Sequence, residues 1–430
     1  MYRVMKGIKM KKVIFILAVF AGILILLNCG GDDVVNVSHD IKVVLYPVAD
    51  TSVFFSDTLE FQAYVWNTTD TTVKWYVNNI ENGNGIYGTI DSTGKYFAPA
   101  QTDGFDEVTV KIVSIADSTK SDSTVVYILD RDFIYVNVNT GDDVTGIGSE
   151  IHPFKTIGKG ISIALNGQII LADSGTYNAA SGESFPLIPT RDVTIQGVAD
   201  SSVIVEPPDD QPAFSLQYER AAVKNLTIRR STKTGVGVEF AGLTGLGRVS
   251  ANTITIENCR IAALVVSAAD TVGLINAAVD NCTYGVLVQD PALLLDLSQS
   301  SFTNIDSIAV ETISPVSNTL DFNYVTVDNS WIGLNLVQAS FAFIHNSQFS
   351  NIESTAVFLN ARATINKQGT SGPNDFSGCQ NWCVINNTPD SIYAVNNTWP
   401  AADSATIDNQ YIYDDTQDAT KGRVYFIPFN

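Results

Sequence analysis

A repeat of about 23 residues is the feature that most constrains this chain of 430 residues. The segment SFTNIDSIAV at 301–310 returns as QFSNIESTAV at 348–357, which begins 47 residues later. Between them, DFNYVTVDNSWIGLNL at 321–336 has the same rhythm. Each repeat holds three short apolar stretches and an Asn at a turn. This pattern predicts an all-β fold, a right-handed, single-stranded parallel β-helix with one repeat per rung.

The Asn residues of the repeat have a physical reason to be there. Asn258 and Asn281 are 23 residues apart, and each precedes a cysteine. Asn tolerates the left-handed backbone conformation that a tight turn requires. Its side-chain amide can also bond to the Asn of the next rung. Rungs stack about 4.8 Å apart, so about eight or nine of them would make a rod roughly 40 Å long. A leucine-rich solenoid needs a helix in each repeat, and no such pattern is present.

The first 28 residues have the layout of a secretory signal. Five basic residues precede VIFILAVFAGILILL, an apolar run of fifteen residues that is short for a membrane span. The run leads into LLNC at 26–29, which resembles the lipobox of bacterial lipoproteins, although Asn28 departs from the Gly, Ala or Ser usual there. The resemblance implies that Cys29 is the lipidated first residue of the mature chain. We therefore expect a signal peptide over 1–28, a polar tether over 29–40 and anchoring in the bacterial cell envelope, at the outer membrane or cell surface.

The net charge of the chain limits the kinds of molecule that we expect it to bind. The net charge is −20, and removal of the signal peptide lowers it to −25 because 20 basic and 45 acidic residues remain. Nucleic acid requires a basic face, so it is not expected as a partner. The acidity leaves room for divalent cations.

A different pattern precedes the repeats. The segments IKVVLYP, TLEFQAYVW, TVKWYVN, VTVKIVS and STVVYIL have near-alternating apolar residues, which is typical of short strands. The turn-rich segment GTIDSTGKYFAP lies at 88–99. Together with Trp75, these segments resemble bacterial immunoglobulin-like domains. The resemblance implies a β-sandwich over 41–130, with Trp75 in its core and a role as a spacer or adhesive unit.

The start of the repeat region also has a family likeness. Residues 134–197 contain the pattern Y-V-N…G-D-D…P-F-K-T-I…G-T-Y…G-E-x-F-P-L…G almost complete. This resembles the start of a domain-of-unknown-function branch of pectin-lyase-like β-helix proteins, and 395–429 resembles their closing segment. The resemblance implies a β-helix over 132–430 and implies no particular reaction.

A capping helix is predicted near 153–166. Apolar residues recur at helical spacing from Phe154 onward, Pro153 suits a first turn, and Gly167 is placed to end the helix. An open β-helix end exposes strand edges and an apolar interior, which such a helix would cover. His152 precedes the helix, where a ring nitrogen could cap free N–H groups, so we assign it a structural role.

One pair of acidic residues is the candidate site for catalysis or cation binding. Glu257 and Asp280 each precede the repeated Asn-Cys, so they should lie about 4.8 Å apart on one outer face. They could share a Ca²⁺ ion, the only cofactor that we consider, or act as catalytic carboxylates with Arg260. Arg229 and Arg230 lie on a neighbouring rung and could bind carboxylates. A solvated charged face is the alternative.

Besides Cys29, the chain contains four cysteines. Cys259 and Cys282 occupy the same rung position, where either a disulfide or a pair of buried thiols is compatible with the spacing, and we favour thiols. Cys379 and Cys383 flank Trp382 and could close a small loop. The Cys-x3-Cys spacing stands alone and does not indicate a zinc site.

The sequence leaves three functions open. We rank non-catalytic binding of polysaccharide or another envelope partner first, and an enzyme, either a polysaccharide lyase or a glycoside hydrolase, second. A structural or adhesive component of the envelope is third. The Asn-Thr-Asp, Gly-His-Gly and Arg-Ile-Lys motifs of related hydrolases are absent. Convergence of carboxylates and a basic residue on the outer face would favour an enzyme, whereas a binding protein can rely on exposed aromatics. The aromatic candidates are Trp331, Trp399 and Tyr284, and inward packing is the alternative for each.

Overall fold

The computed structural model describes residues 40–199, 201–241, 247–266, 271–290, 294–313, 319–337, 341–360, 363–365 and 372–429. The signal peptide and the lipidation of Cys29, both predicted from the sequence, concern residues outside the described ones. Among the described residues, no helix is both long enough and apolar enough to cross a membrane.

The N-terminal strands pair only with one another. They are β1 (Lys42–Tyr46), β2 (Thr51–Phe54), β3 (Thr58–Glu60), β4 (Gln62–Trp66), β5 (Val73–Val77), β6 (Ile80–Glu81), β7 (Gly83–Asn84), β8 (Gly88–Ile90), β9 (Lys95–Phe97), β10 (Glu107–Ser114) and β11 (Ser121–Leu129). They form sheets in the orders β1-β4, β2-β11-β10-β5-β6 and β3-β9-β8-β7, antiparallel except for the pair β2–β11. Their alternating residues meet in one core that includes the buried Trp75, as predicted from the sequence.

Most of the remaining strands build a second, much longer sheet. They are β12 (Phe133–Val136), β13 (Ile169–Ala172), β14 (Gly175–Asn178), β15 (Thr194–Gly197), β16 (Val203–Glu206), β17 (Phe214–Leu216), β18 (Ala222–Phe240), β19 (Arg248–Val265), β20 (Thr271–Ile275), β21 (Ala278–Asp280), β22 (Tyr284–Val288), β23 (Leu294–Asp296), β24 (Ser301–Thr312), β25 (Thr319–Asn323), β26 (Thr326–Leu336), β27 (Phe341–His345), β28 (Gln348–Leu359), β29 (Ala363–Ile365), β30 (Asp375–Cys379), β31 (Trp382–Asn386) and β33 (Ile412–Tyr413). Two short strands, β32 (Ile392–Tyr393) and β34 (Val424–Tyr425), pair separately.

Every pairing in the long sheet is parallel, and each strand pairs with the strand one repeat away. The register places Glu257 beside Asp280 and Phe302 beside Val327, which in turn lies beside Phe349. The 23-residue period and the 47-residue double repeat are therefore confirmed as one and two turns. The strands form a parallel β-solenoid of about nine turns.

Most buried side chains of the solenoid are apolar, and they form one continuous cluster among the described residues. Near the C-terminal end it contains a continuous stack of rings, Phe322, Phe349, Phe376 and Trp399, with successive centroids 5.7, 5.1 and 5.2 Å apart. Trp399 is therefore a core residue. A short helix α2 (Ser404–Thr406) and a π-helical turn (Ile407–Tyr411) follow it.

The predicted capping helix is present but shorter than expected. Helix α1 spans Ile157–Ile163 and not 153–166. Phe154 precedes it and forms an isolated parallel bridge to Val136, so the backbone at Pro153 is extended and does not begin a helix. The buried face of α1 lies on the first two strands of the solenoid, since a Cβ on Gly160 would meet Ile170 and Val136 side chains.

The cap of helix α1 also differs from the prediction. Thr156 is the N-cap, and its hydroxyl accepts from Lys159 N at 3.0 Å. The carboxylate of Glu183 accepts from Ile157 N and, at 3.1 Å, from Gly158 N. His152 does not cap the helix, because its Nδ1 atom faces Asp106 of the N-terminal sheets at 2.8 Å.

Candidate functional site

A ladder of Asn residues runs along one corner of the solenoid. We call the following residues the asparagine ladder: Asn258, Asn281, Asn304, Asn329 and Asn351. All five adopt the left-handed conformation, with φ between 50 and 59°. This conformation favours Asn at the turn, and it explains why Asn recurs at this position of the repeat.

The amides of the ladder bond from rung to rung in two ways. Asn281 Nδ2 donates to Asn258 Oδ1 at 2.6 Å, and Asn329 Nδ2 donates to Asn304 Oδ1 at 2.8 Å. Asn304 Nδ2 instead donates to Asp280 Oδ1 at 2.7 Å. The expected Asn-to-Asn bonding is thus present on some rungs and replaced by a carboxylate acceptor on others.

An open groove of about 430 Å³ lies beside this ladder, and we call it the Trp331 groove. It is lined by Asn281, Asn304, Ile305, Asp306, Asn329, Ser330, Trp331 and Glu353. Trp331 is half-exposed, at 50% of its full surface. Of the three aromatic candidates, Trp331 is therefore the most exposed, since Trp399 is in the core and Tyr284 is partly buried against a small apolar cluster.

Three consecutive rungs each place one side chain in the groove, directly after a buried residue. These side chains are Asp306, Trp331 and Glu353, and they follow Ile305, Ser330 and Ile352, which lie in register. Because neighbouring residues of an extended chain point to opposite sides, the buried residue turns the next side chain outward. The groove therefore presents an indole ring with one carboxylate on each side of it.

A lysine from an earlier rung reaches the groove. The register of β18 shifts between Arg229 and Thr234, and Lys233 lies in this irregular segment. Its Nζ atom lies 2.7 Å from Asp306 Oδ1. One of the two groove carboxylates is therefore paired with a cation, and Glu353 is exposed at the other side.

The acidic pair predicted from the sequence lies next to the groove. Glu257 and Asp280 are register partners on adjacent rungs, as expected. The Oδ1 atom of Asp280 accepts hydrogen bonds from Thr303 Oγ1 and Asn304 Nδ2, both at 2.7 Å. Arg260 is exposed on the rung of Glu257. Asp280 thus has a role in holding the neighbouring rung, and catalysis or Ca²⁺ binding by Glu257, Asp280 and Arg260 stays a prediction.

The two other predicted arginines are not free to bind a ligand's carboxylate. Arg229 is paired with Glu206, with its NH2 atom 2.9 Å from Oε1. Arg230 is not on the outer face: it is only 3% exposed, and its guanidinium donates to backbone carbonyls, including that of Val236 at 2.8 Å. The irregular segment of β18 turns Arg230 inward, which the regular repeat did not predict. Across the described part of the chain, no three His, Cys, Asp or Glu side chains converge to hold a metal ion.

A second group of charged residues, which the sequence analysis missed, lies on a different face of the solenoid. Asp296 and Asp321 are register partners on adjacent rungs. Arg248 NH2 lies 3.5 Å from Asp296 Oδ2, and His345 Nε2 lies 3.3 Å from Asp321 Oδ1. We call Arg248, Asp296, Asp321 and His345 the charged row. Carboxylates and basic groups therefore converge here, which is the arrangement that an enzyme would require.

Neighbouring positions shape the charged row. Gly273 is the register partner of Asp296 one rung earlier, so no side chain separates Arg248 from Asp296. Phe343 is the register partner of Asp321 one rung later, and its exposed ring meets that of Phe341 edge to face at 4.8 Å. Alignment of LLDLS at 294–298 with TLDFN at 319–323 would have revealed the aspartate pair from the sequence.

All four cysteines of the described chain are free and buried. Cys259 N donates to Cys282 Sγ at 3.4 Å, which places the two residues on top of one another. The Cys259 sulfur and burial hold the pKa of the Cys282 thiol well above its usual range. The structure thus contains the buried thiol pair that the sequence favoured over a disulfide.

Strand order and register define an all-β protein built on a parallel β-solenoid. The family model described as "Protein of unknown function (DUF1565)" matches residues 139–404, and the chain belongs to this family. No curated protein matches the sequence.

Comparison with solved structures finds weak similarities, among them the following three. The GH136 lacto-N-biosidase from Eubacterium ramulus is 11% identical with a TM-score of 0.36, over 69% of this chain and 68% of that chain. ORF18 of Geobacillus virus E2 is 12% identical with a TM-score of 0.34, over 68% of this chain and 59% of that chain. The catalytic unit of a thermostable GH87 alpha-1,3-glucanase from Streptomyces thermodiastaticus is 12% identical with a TM-score of 0.32, over 91% of this chain and 86% of that chain. These weak likenesses assign no activity to this chain.

Proposed function

We propose that this protein is an exported, lipid-anchored envelope protein that binds polysaccharide without cleaving it, in the Trp331 groove. The observation that carries the proposal is the half-exposed Trp331 beside the asparagine ladder in an open groove. A rigid indole can stack on the apolar face of a sugar ring. The amides and carboxylates around it can bond to hydroxyl groups and fix the orientation of the sugar.

The charge of the groove selects the class of glycan. Asp306 and Glu353 are both carboxylates, and the chain as a whole has a net charge of −20. A uronate-rich polysaccharide would bring further negative charge to this surface, which costs binding energy. The proposed ligand is therefore a neutral or amino-substituted polysaccharide.

Glycan-array binding tests this proposal with the wild type, Trp331→Ala and a control, Tyr218→Ala. Tyr218 is exposed outside the groove. We expect the wild type and Tyr218→Ala to bind neutral or amino-substituted glycans and Trp331→Ala to lose at least 10-fold in affinity, about 1.4 kcal/mol. Binding by all three proteins alike, or by none of them, would reject the groove.

The proposed anchor and domain arrangement follow the sequence. Cys29 carries the lipid, residues 41–130 form an immunoglobulin-like sandwich that serves as a spacer, and the solenoid over 132–430 is right-handed. The mostly antiparallel N-terminal sheets around Trp75 support the spacer assignment. Cys29→Ala should release the protein from membranes, and unchanged retention would refute the anchor.

A second candidate function, hydrolysis or elimination on an acidic or neutral polysaccharide, is favoured by the charged row. Two carboxylates on adjacent rungs, Asp296 and Asp321, could serve as acid and base, with Arg248 and His345 beside them. Release of reducing or unsaturated ends, abolished by both Asp296→Asn and Asp321→Asn, would establish it. Turnover abolished by Asp280→Ala alone would instead place the chemistry at Glu257 and Asp280.

A further inference from the structure

The outer face of the two-stranded sheet β1–β4 bears three exposed aromatic side chains. Tyr46, Tyr64 and Trp66 are 43%, 45% and 43% exposed, and we call them the aromatic patch. The rings of Tyr64 and Trp66 stack with centroids 5.8 Å apart and planes 15° from parallel. The alternate residues Leu45 and Val65 are buried, so the strands turn their aromatic residues away from the core.

Polar groups border the aromatic patch. Lys42 is the register partner of Trp66, and its Nζ atom lies 5.9 Å from the centroid of that ring. The hydroxyl of Tyr64 donates to Gln62 Oε1 at 2.7 Å. Tyr and Trp with a polar edge are the side chains enriched at membrane–water interfaces, and a nearby lysine can extend toward phosphate groups.

The start of the described chain lies next to this patch. Asp40 is held there by Asn67, whose Nδ2 atom donates to Asp40 O at 2.8 Å, and by Lys120, whose Nζ atom lies 2.5 Å from Asp40 Oδ2. Asn67 directly follows Trp66. A chain spans at most about 3.6 Å per residue, so Asp40 lies within about 40 Å of Cys29. The aromatic patch is therefore the surface beside which the chain departs toward its anchor.

We propose that the aromatic patch docks on the phospholipid surface that holds the lipid of Cys29. This inference rests on the lipid anchor proposed above. The indole of Trp66 and the phenols of Tyr46 and Tyr64 would enter the headgroup region, with Lys42 near the phosphates. Docking holds the N-terminal sheets against the bilayer, as a second attachment besides the lipid.

Brominated lipids test the docking, because bromine on the acyl chains quenches nearby tryptophan. The mature lipoprotein is placed in vesicles of phosphatidylethanolamine and phosphatidylglycerol, plain or brominated. We expect brominated vesicles to lower the emission of the wild type and of the control Trp331→Phe, and to leave Trp66→Phe unchanged. Equal emission in plain and brominated vesicles for all three proteins would overturn the proposal. A Trp66-dependent change on adding polysaccharide, without quenching by lipid, would also overturn it and identify a second sugar platform.

A second arm separates the docking from the anchor. Residues 30–430 with an N-terminal hexahistidine tag are held on vesicles that contain a nickel-chelating lipid and brominated phospholipid. Trp66-dependent quenching in this arm, without flotation of the native protein on vesicles, would keep the docking and refute the anchor. Flotation of the native protein without quenching in either arm would keep the anchor and refute the docking.

Discussion

Lys233 and Asp306 form an ion pair at 2.7 Å although they are separated by 73 residues in the chain. The pair joins the irregular segment of β18 to the edge of the Trp331 groove. Both side chains are partly exposed, so the pair adds little to stability. Its effect is on the charge of the groove, which under the proposed function selects the class of glycan that binds.

Removal of Lys233 should change specificity more than stability. In Lys233→Ala, Asp306 has no cation beside it, so affinity for amino-substituted glycans should rise about threefold, which is about 0.7 kcal/mol. The melting temperature should hardly change, because an exposed ion pair contributes about 0–1 kcal/mol. Calorimetric titration and thermal melting measure the two effects. A lower affinity for cationic glycans in this variant would show that Asp306 does not contact the ligand.

Substitution of Asn281 separates the two roles of the asparagine ladder. Asn281 has a φ of 53° and donates to Asn258 Oδ1 at 2.6 Å. Asn281→Ala loses the hydrogen bond and strains the backbone, so we expect a loss of about 2–3 kcal/mol. Asn281→Gly loses the hydrogen bond and some chain entropy but avoids the backbone strain, so it should cost about 1–2 kcal/mol. Urea denaturation measures both, and equal losses would contradict a left-handed requirement at this turn.

Glu183 should make stability depend on pH. Burial raises its pKa to about 7 from an unperturbed 4.5, against the lowering effect of Ile157 N and Gly158 N. Because the folded-state pKa is raised, the contribution of Glu183 is fully present below pH 4.5 and is lost as pH rises through 7. This shift corresponds to about 3 kcal/mol.

The variant Glu183→Gln removes this titration. We expect its stability to rise relative to the wild type between pH 5 and 8, by up to about 3 kcal/mol in unfolding free energy. The exposed residue Glu150 supplies the control, and Glu150→Gln should follow the wild type. A constant difference between Glu183→Gln and the wild type at all pH values would refute the assignment.

Phe154 should be essential at the N-terminal end of the solenoid. It is 4% exposed and bridges to Val136, so Phe154→Asp buries a charge against the first rung. We expect a loss of more than about 3 kcal/mol or outright aggregation. Ile163 at the end of α1 is exposed, and Ile163→Asp should be well tolerated. Thermal melting and light scattering distinguish the two variants, and a fully stable Phe154→Asp protein would contradict the capping role.

The repeated part of the solenoid could be predicted from the sequence because side-chain burial and turn chemistry recur together. Asn258 and Asn281 mark the turn of two successive repeats and adopt the left-handed conformation there. Their spacing aligned the two repeats and so predicted the register of Glu257 with Asp280. Interruptions of the repeat could not be predicted in this way. Arg230 lies in the irregular segment of β18 and is buried, although its position in the sequence suggested an outer face.

The capping helix shows why its ends were predicted less well than its presence. Apolar spacing located the helix, but the bridge of Phe154 to Val136 keeps the preceding residues extended. The backbone N–H groups at the start of α1 are satisfied by Glu183, which lies about one repeat further along the chain. Local sequence contains no sign of such a distant cap.

The groove was only partly visible in the sequence. Trp331 was one of three aromatic candidates, and the choice between outward and inward packing depends on the register of buried Ser330 with Ile305. The contact of Lys233 with Asp306 joins residues about three repeats apart and depends on the irregular segment of β18, so no repeat period indicates it. The aspartates of the charged row, in contrast, do obey the period and could have been found by alignment.

The most direct test of polysaccharide binding is calorimetric titration of an array-selected glycan into the wild type and Trp331→Ala, followed by chromatography of the recovered glycan. We expect binding to the wild type, at least a 10-fold weaker affinity for Trp331→Ala, about 1.4 kcal/mol, and a glycan recovered intact. Equal affinity of the two proteins would contradict the assignment of the groove, and a shortened glycan would contradict binding without cleavage.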